Sequence, residues 1–177
     1  MSLWRPDSGL EIIQSVQIDA SIEKVFDTLI EVDSHPDVYP GCDRVVKLDE
    51  KSRPIEGQKV GRLSPGLRYR FCGSAGGTGR ERKWTLTVTR LEQGPTQCTL
   101  VTATQMFGCT ITSTSTLERL GQNMTEFRQA YTLIPDSLVS RLYLFVRSSV
   151  VYEEGKRNMQ DGFRALSTTL GLHIVAC

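Results

Sequence analysis

Between residues 11 and 18 apolar and polar side chains alternate, with Ile12, Gln14, Val16 and Ile18 on one face and Ile13, Ser15 and Gln17 on the other. A period of two is that of a β-strand. The apolar spacing then changes to three and four at Ile22, Val25, Phe26, Leu29 and Ile30, which predicts an amphipathic helix with Ser21 as its N-cap. That helix must end before Pro36, and residues 33–41 read as a turn-rich, partly helical reversal. Strand patterns follow at 44–48, 58–63, 67–71, 83–91, 96–104, 109–117 and 124–134. Turns are expected at Phe107-Gly108 and at Gly121-Gln122-Asn123. After Pro135 the longer period returns: Leu138, Leu142, Phe145, Ser149, Tyr152, Lys156, Met159, Phe163, Leu166 and Leu170 mark one stripe of a long helix. A break near Gly155 or in the first turns of that helix is left open.

Strands grouped between helices, rather than alternating with them, place the chain in the α+β class. The expected architecture is a curved antiparallel sheet of about six to seven strands wrapped around the C-terminal helix, with a short helical pair between strands one and two. With 177 residues a single hydrophobic core is expected, as one domain over 11–172, an N-terminal extension over 1–10 and a tail over 173–177.

Charge narrows the partners. The 21 basic and 20 acidic side chains give a net charge of +1, too little for a field that holds a phosphate backbone, so no nucleic-acid partner is expected. The five cysteines lack CxxC spacing and read as buried thiols in a reducing compartment. The start of the chain does not read as a secretory signal, and the apolar run 138–151 contains Arg141 and Arg147. A soluble, cytoplasmic protein is the expectation.

The segment "SVQIDASIEKVFDTLIEVDSHPDVYPGCDRVVKLDE" (15–50), the strand carrying Trp84, "TEFRQAYTLIP" (125–135) and the closing helix (150–170) together resemble the SRPBCC superfamily. This is the helix-grip group of START lipid-transfer domains, birch-pollen-allergen-like proteins, and polyketide cyclases and dehydrases. The opening, a Val-Phe helix followed by a Tyr-Pro turn, is similar in particular to the branch of coenzyme-Q-binding and aromatase/cyclase proteins. The resemblance implies the fold and a cavity between sheet and helix. It does not imply a reaction, because carriers, cyclases, hydrolases and receptors share this frame.

On that expectation the concave side collects Tyr69, Phe71, Trp84, Leu86, Val88, Ile111, Phe127, Tyr131 and Leu133 from the sheet, and Met159, Phe163 and Leu166 from the helix. Such a wall suits an apolar small molecule: a lipid, an isoprenoid quinone or a polyketide. Ser113, Ser115 and Gln129 interrupt the apolar strand faces, while Ser149, Tyr152 and Lys156 interrupt the helix. Each either orients a ligand or pairs with its neighbours.

A cofactor-independent cyclase or dehydrase is the alternative, with Tyr131 or Tyr152 as the acid. Asp33, His35 and Asp37 lie close in sequence but read as turn formers, and neither a metal nor a cofactor is expected. The glycine-rich stretch 73–79 matches no phosphate-binding pattern and reads as a hairpin loop at the rim. Arg62, Arg68, Arg70, Arg80, Arg82 and Lys83 gather around it, an Arg-rich rim open to a peripheral membrane or protein contact. Oligomeric state is left between monomer and homodimer.

Overall fold

The alternating segments pair as one antiparallel sheet in the computed structural model, which describes residues 4–5, 9–39, 41–55, 60–74, 81–106 and 108–172. Its strands are β1 (Trp4–Arg5), β2 (Gly9–Ile18), β3 (Arg44–Leu48), β4 (Arg68–Ser74), β5 (Glu81–Gln93), β6 (Gln97–Met106), β7 (Cys109–Gly121) and β8 (Met124–Pro135). Their spatial order is β1-β2-β8-β7-β6-β5-β4-β3, so β2 closes against β8 and the rest form a meander. Eight strands exceed the expected six to seven because the two-residue β1 adds an edge, pairing Trp4 with Leu10.

The helices are α1 (Ile22–Ile30), α2 (His35–Val38) and α3 (Leu138–Thr169), with a 3-10 turn at Val32–Ser34 before α2. Ser21 caps α1 as its sequence predicts, accepting the Lys24 N–H at 3.4 Å, and α1 buries Ile22, Val25, Phe26, Leu29 and Ile30. Ser137 does the same for α3, accepting the Ser140 N–H at 3.2 Å. The start of α3 is tied down further by the Asp136 N–H to Gly108 carbonyl bond and by Thr110, whose hydroxyl donates to Asp136 at 2.8 Å.

Three sequence expectations are corrected. The strand expected over 58–63 is absent among its described residues, 60–63. There the backbone pairs with the end of α1 instead: the Leu63 N–H donates to the Ile30 carbonyl, the Val32 N–H to that of Gly61, and Glu31 bridges Arg62. The long helix does not break near Gly155. That glycine lets β2 approach, since a Cβ there would lie 2.4 Å from Ile12 Cδ1. Finally, the apolar stripe holds for the second half of α3, where Met159, Phe163, Leu166 and Leu170 are buried, but not for the first. There Ser140 and Leu144 face inward, and Leu138, Leu142, Phe145 and Ser149 are exposed. The first turns are apolar all round, so spacing alone did not fix their phase.

The glycine-rich stretch splits: Gly73 and Ser74 end β4, and residues 75–80 lie outside the described residues. So do His173 and the rest of the C-terminal tail. Cys42, Cys72, Cys98 and Cys109 are buried as thiols. No described helix is long and apolar enough to cross a membrane.

Candidate functional site

The pairing registers place four rows of side chains across the concave face. One row is Val16, Phe127, Leu117 and Cys98; the next is Gln14, Gln129, Ser115, Leu100 and Leu91. Then come Ile12, Tyr131, Ser113, Thr102 and Val88, and after them Leu10, Leu133, Ile111, Thr104 and Leu86. A bulge between Val88 and Arg90 in β5 keeps Leu91 on this face after the strand passes Thr89.

These rows explain why the buried apolar residues fall into two clusters. The larger joins α1, α2 and the second half of α3 to one end of the sheet, through Phe26, Phe71, Leu117, Phe127, Phe163 and Leu166. The smaller, with Leu10, Ile12, Leu133, Leu144 and Met159, lies at the other end, with Ile111, Tyr131, Val151 and Tyr152 packed against it. Between them runs a polar belt of Gln14, Gln129, Ser115, Ser113, Thr102 and Tyr131.

Three belt residues are buried and three half-buried, and the belt is not paired internally. Gln129 is 8% exposed, Ser115 6% and Thr102 7%, yet none of these side chains, nor those of Ser113 and Tyr131, hydrogen-bonds another described residue. Gln14 donates only to its neighbour, the Ile13 carbonyl, at 2.7 Å. Among the described residues the one deeply buried side-chain polar atom without a partner is His35 Nδ1. The belt's polar atoms therefore keep some accessible surface. Trp84, Leu86, Ile111, Tyr131 and Tyr152 pack against the buried clusters yet remain only half-buried, and Lys156 is half-buried as well.

Tyr131 combines residual surface with a phenol that burial pushes up to about 12. Protein surrounds it on most sides while its own contact layer stays incomplete. Tyr39, following α2, behaves alike. Burial raises its phenol well above the ordinary tyrosine range, and the nearby Tyr131 adds to the shift. Both hydroxyls stay protonated at neutral pH and can donate or accept a hydrogen bond.

An aromatic wall completes one end. Phe71 stacks on Trp84 with ring centroids 5.6 Å apart and on His35 at 5.5 Å, and the Tyr39 ring meets His35 edge-on at 4.8 Å. Phe127 and Phe163 meet edge-on at 5.0 Å between β8 and α3. Near the middle of α3, Lys156 Nζ lies 5.6 Å from the centre of the Tyr152 ring.

Other sequence candidates are fully buried, exposed or already paired. Tyr69, Val88 and Met159 have no accessible surface, and the Tyr69 hydroxyl already accepts the Ser64 N–H and donates to the Arg62 carbonyl, both at 3.2 Å. Ser149 is exposed. His35 turns into the core while Asp33 and Asp37 are exposed, so the three do not converge. Arg62 pairs with Asp27. Arg68 and Arg70 brace residues 49–52 through the Asp49, Glu50 and Ser52 carbonyls. A surface cleft of about 450 Å³, lined by Asp27, Thr28, Glu31, Ser34, Arg62 and Thr169, lies elsewhere and is open to solvent.

Sequence reasoning missed Tyr39, Thr102 and Gln14. Alternation along 96–104 already placed Thr102 with Cys98 and Leu100, and Gln14 with Ile12. Tyr39 carried no such signal, because its position depends on how the reversal folds back onto β4.

No protein-family model matches the chain, and no curated protein sequence does. Solved structures match it at low identity. A START superfamily protein from Mycobacterium smegmatis superposes with a TM-score of 0.62 at 13% identity, covering 90% of this chain and 95% of that one. Norcoclaurine synthase from Thalictrum flavum, solved with dopamine and hydroxybenzaldehyde, gives 0.60 at 10% identity, with coverage of 94% and 90%. The di-domain aromatase/cyclase BexL of the BE-7585A biosynthetic pathway gives 0.60 at 16% identity; the match covers 91% of this chain and 46% of that one. The chain has the helix-grip fold of these proteins.

Proposed function

We propose that this helix-grip chain binds a hydrophobic small molecule carrying one or two polar groups, in the space between the concave sheet and α3. The observation that carries the reading is the polar belt between two apolar clusters. Gln129, Ser115 and Thr102 are buried and Ser113 and Tyr131 half-buried, and none of these side chains has a hydrogen-bond partner among the described residues, an arrangement that favours a ligand carbonyl or hydroxyl. Trp84, Leu86, Ile111, Phe127 and Phe163 supply apolar surface on either side. A lipid, an isoprenoid quinone or a polyketide has this distribution of polarity.

A carrier fits the chemistry better than an enzyme. General acids work best with a pKa near the operating pH, and burial moves the Tyr131 phenol to about 12, away from it. That favours Tyr131 as a hydrogen-bond donor that orients a ligand. The second reading, a cyclase or dehydrase using Tyr131 or Tyr152, draws on the neighbouring phenols Tyr131 and Tyr39, which could polarise one carbonyl together.

Native mass spectrometry of protein purified from its own source tests the binding reading: a stoichiometric apolar ligand is expected. Ligand-free protein that also fails to bind fatty acids, quinones and aromatic polyketides would overturn it. If turnover of an identified ligand is found and Tyr131→Phe abolishes it while binding persists, the enzymatic reading replaces the carrier.

A further inference from the structure

Two arginines on the outer face of β4 converge on one serine. Arg68 and Arg70 are half-buried and alternate along the strand with the buried Tyr69 and Phe71. Arg68 Nη1 donates to the Ser52 hydroxyl at 2.8 Å, and Arg70 Nη2 to the Ser52 carbonyl at 3.0 Å. Arg68 Nη2 also reaches the carbonyls of Asp49 at 3.2 Å and Glu50 at 2.5 Å. None of these acceptors is a carboxylate, and the bond to Ser52 engages one of the five N–H donors of the Arg70 guanidinium. Lys51 and Arg53, both exposed, flank the serine in the chain. Of the turn's two carboxylates, Asp49 is held by Arg53, through the backbone N–H at 2.8 Å and Nε at 2.9 Å, and Glu50 is exposed. Ser52 itself has φ of 63°, the one non-glycine in the left-handed region among the described residues.

We propose that Ser52 is a phosphorylation site and that Arg68 and Arg70 receive the phosphoserine. Cations gathered around one hydroxyl repel one another, and a phosphomonoester supplies the missing charge together with three acceptor oxygens. Carried on the Ser52 Oγ, it starts beside the Arg68 guanidinium, with Arg70 two residues along the same face of β4. Planar guanidinium forks match phosphate oxygens, where a lone ammonium offers only a point charge. The modifying enzyme is a serine kinase that reads basic flanks, here Lys51 and Arg53. The Oγ–P bond forms as the γ-phosphoryl group leaves a nucleoside triphosphate, the diphosphate departs, and the hydroxyl proton passes to the kinase's base. Ser52 reaches a kinase when the 49–53 turn opens, which breaks the Ser52 N–H to Asp49 carbonyl and Asp49 N–H to Arg53 carbonyl bonds and relieves the left-handed backbone. Once modified, the turn is clasped to the outer face of β4, the strand whose other face carries Phe71 of the aromatic wall.

The test compares unmodified protein with protein carrying genetically encoded phosphoserine at position 52. The phosphorylated form is expected to melt about 2 °C higher or more, and Arg68→Gln/Arg70→Gln should abolish the gain. Phosphorus NMR adds a readout that general stiffening would not move: the phosphoserine pKa should fall below its ordinary value of about 6 and return to it in the double variant. Arg70→Gln alone, which gives up one bond to the turn, serves should the double variant fail to fold. Mass spectrometry of protein purified from its own source should find phosphate on the peptide containing Ser52. A phosphoserine that lowers the melting temperature, or whose pKa stays near 6, overturns the proposal. Native protein without phosphate on Ser52 overturns it too, and saturable binding of inorganic phosphate to the unmodified chain would then assign the arginines to a free anion. The proposal is independent of the ligand reading, because each of these measurements is made on protein without an apolar ligand.

Discussion

Gln129 concentrates the tension between stability and function in one side chain. The residue is 8% exposed, and its amide has no hydrogen-bond partner among the described residues. Gln129→Leu should therefore raise the stability of the ligand-free protein by about 1 kcal/mol while weakening ligand binding about tenfold. Thermal melts read the first change, and titration with a bound lipid or quinone the second. A loss of stability instead would show that the amide is already satisfied within the protein. His35 makes a different prediction. Its Nε2–H donates to the Leu29 carbonyl at 2.9 Å, Nδ1 is buried without a partner, and burial lowers its pKa from 6.5 to about 4. The folded pKa lies below the unfolded one, so the unfolded chain takes up the proton first as the pH falls. Stability is fully present above about pH 6.5 and declines toward pH 4, by up to about 3 kcal/mol. Urea unfolding at a series of pH values checks this, and His35→Phe should flatten the slope. Equal slopes in variant and wild type would assign the acid sensitivity elsewhere.

At the scale of elements, the contact between β2 and α3 holds the grip closed. Gly155 faces Ile12, and a larger residue has to displace the Ile12 side chain, which is 1% exposed. Gly155→Val should cost about 1–3 kcal/mol, and Ile12→Val should recover part of it by removing the Cδ1 methyl. Strictly additive effects in that double-mutant cycle would contradict the contact. The strands were legible because each has one wet and one dry face, so the period of two survives in the sequence. Most of α3 was legible for the same reason, at its own period. Its first turns were not: Leu138, Val139, Leu142 and Val146 are apolar yet exposed, and an apolar residue does not say which side it faces. The segment at 60–63 misled in another way, since its backbone partners are the end of α1 and the turn after it, set by folding rather than by pattern.

For the whole molecule, the fold could be argued from periodicity and resemblance together, whereas the interior space could not. A filled core and a hollow one share the same alternation. What distinguishes them is whether Ser113, Ser115, Thr102, Gln129 and Tyr131 find one another, and that depends on cross-strand register and on the height at which α3 crosses the sheet. Ser115 and Gln129 are directly paired across β7 and β8, as are Ser113 and Tyr131, yet neither pair is joined by a side-chain hydrogen bond. Filling the space is the most direct trial of the account. The measurement is calorimetric or fluorescence titration of an apolar ligand found with the purified protein, comparing wild type with Ser115→Leu/Thr102→Leu. Saturable one-to-one binding by the wild type and its loss in a variant that stays folded with unchanged or higher stability is the predicted result. A variant that loses several kcal/mol of stability, or that binds as the wild type does, would show that the space between sheet and helix is already full or is not where the ligand goes.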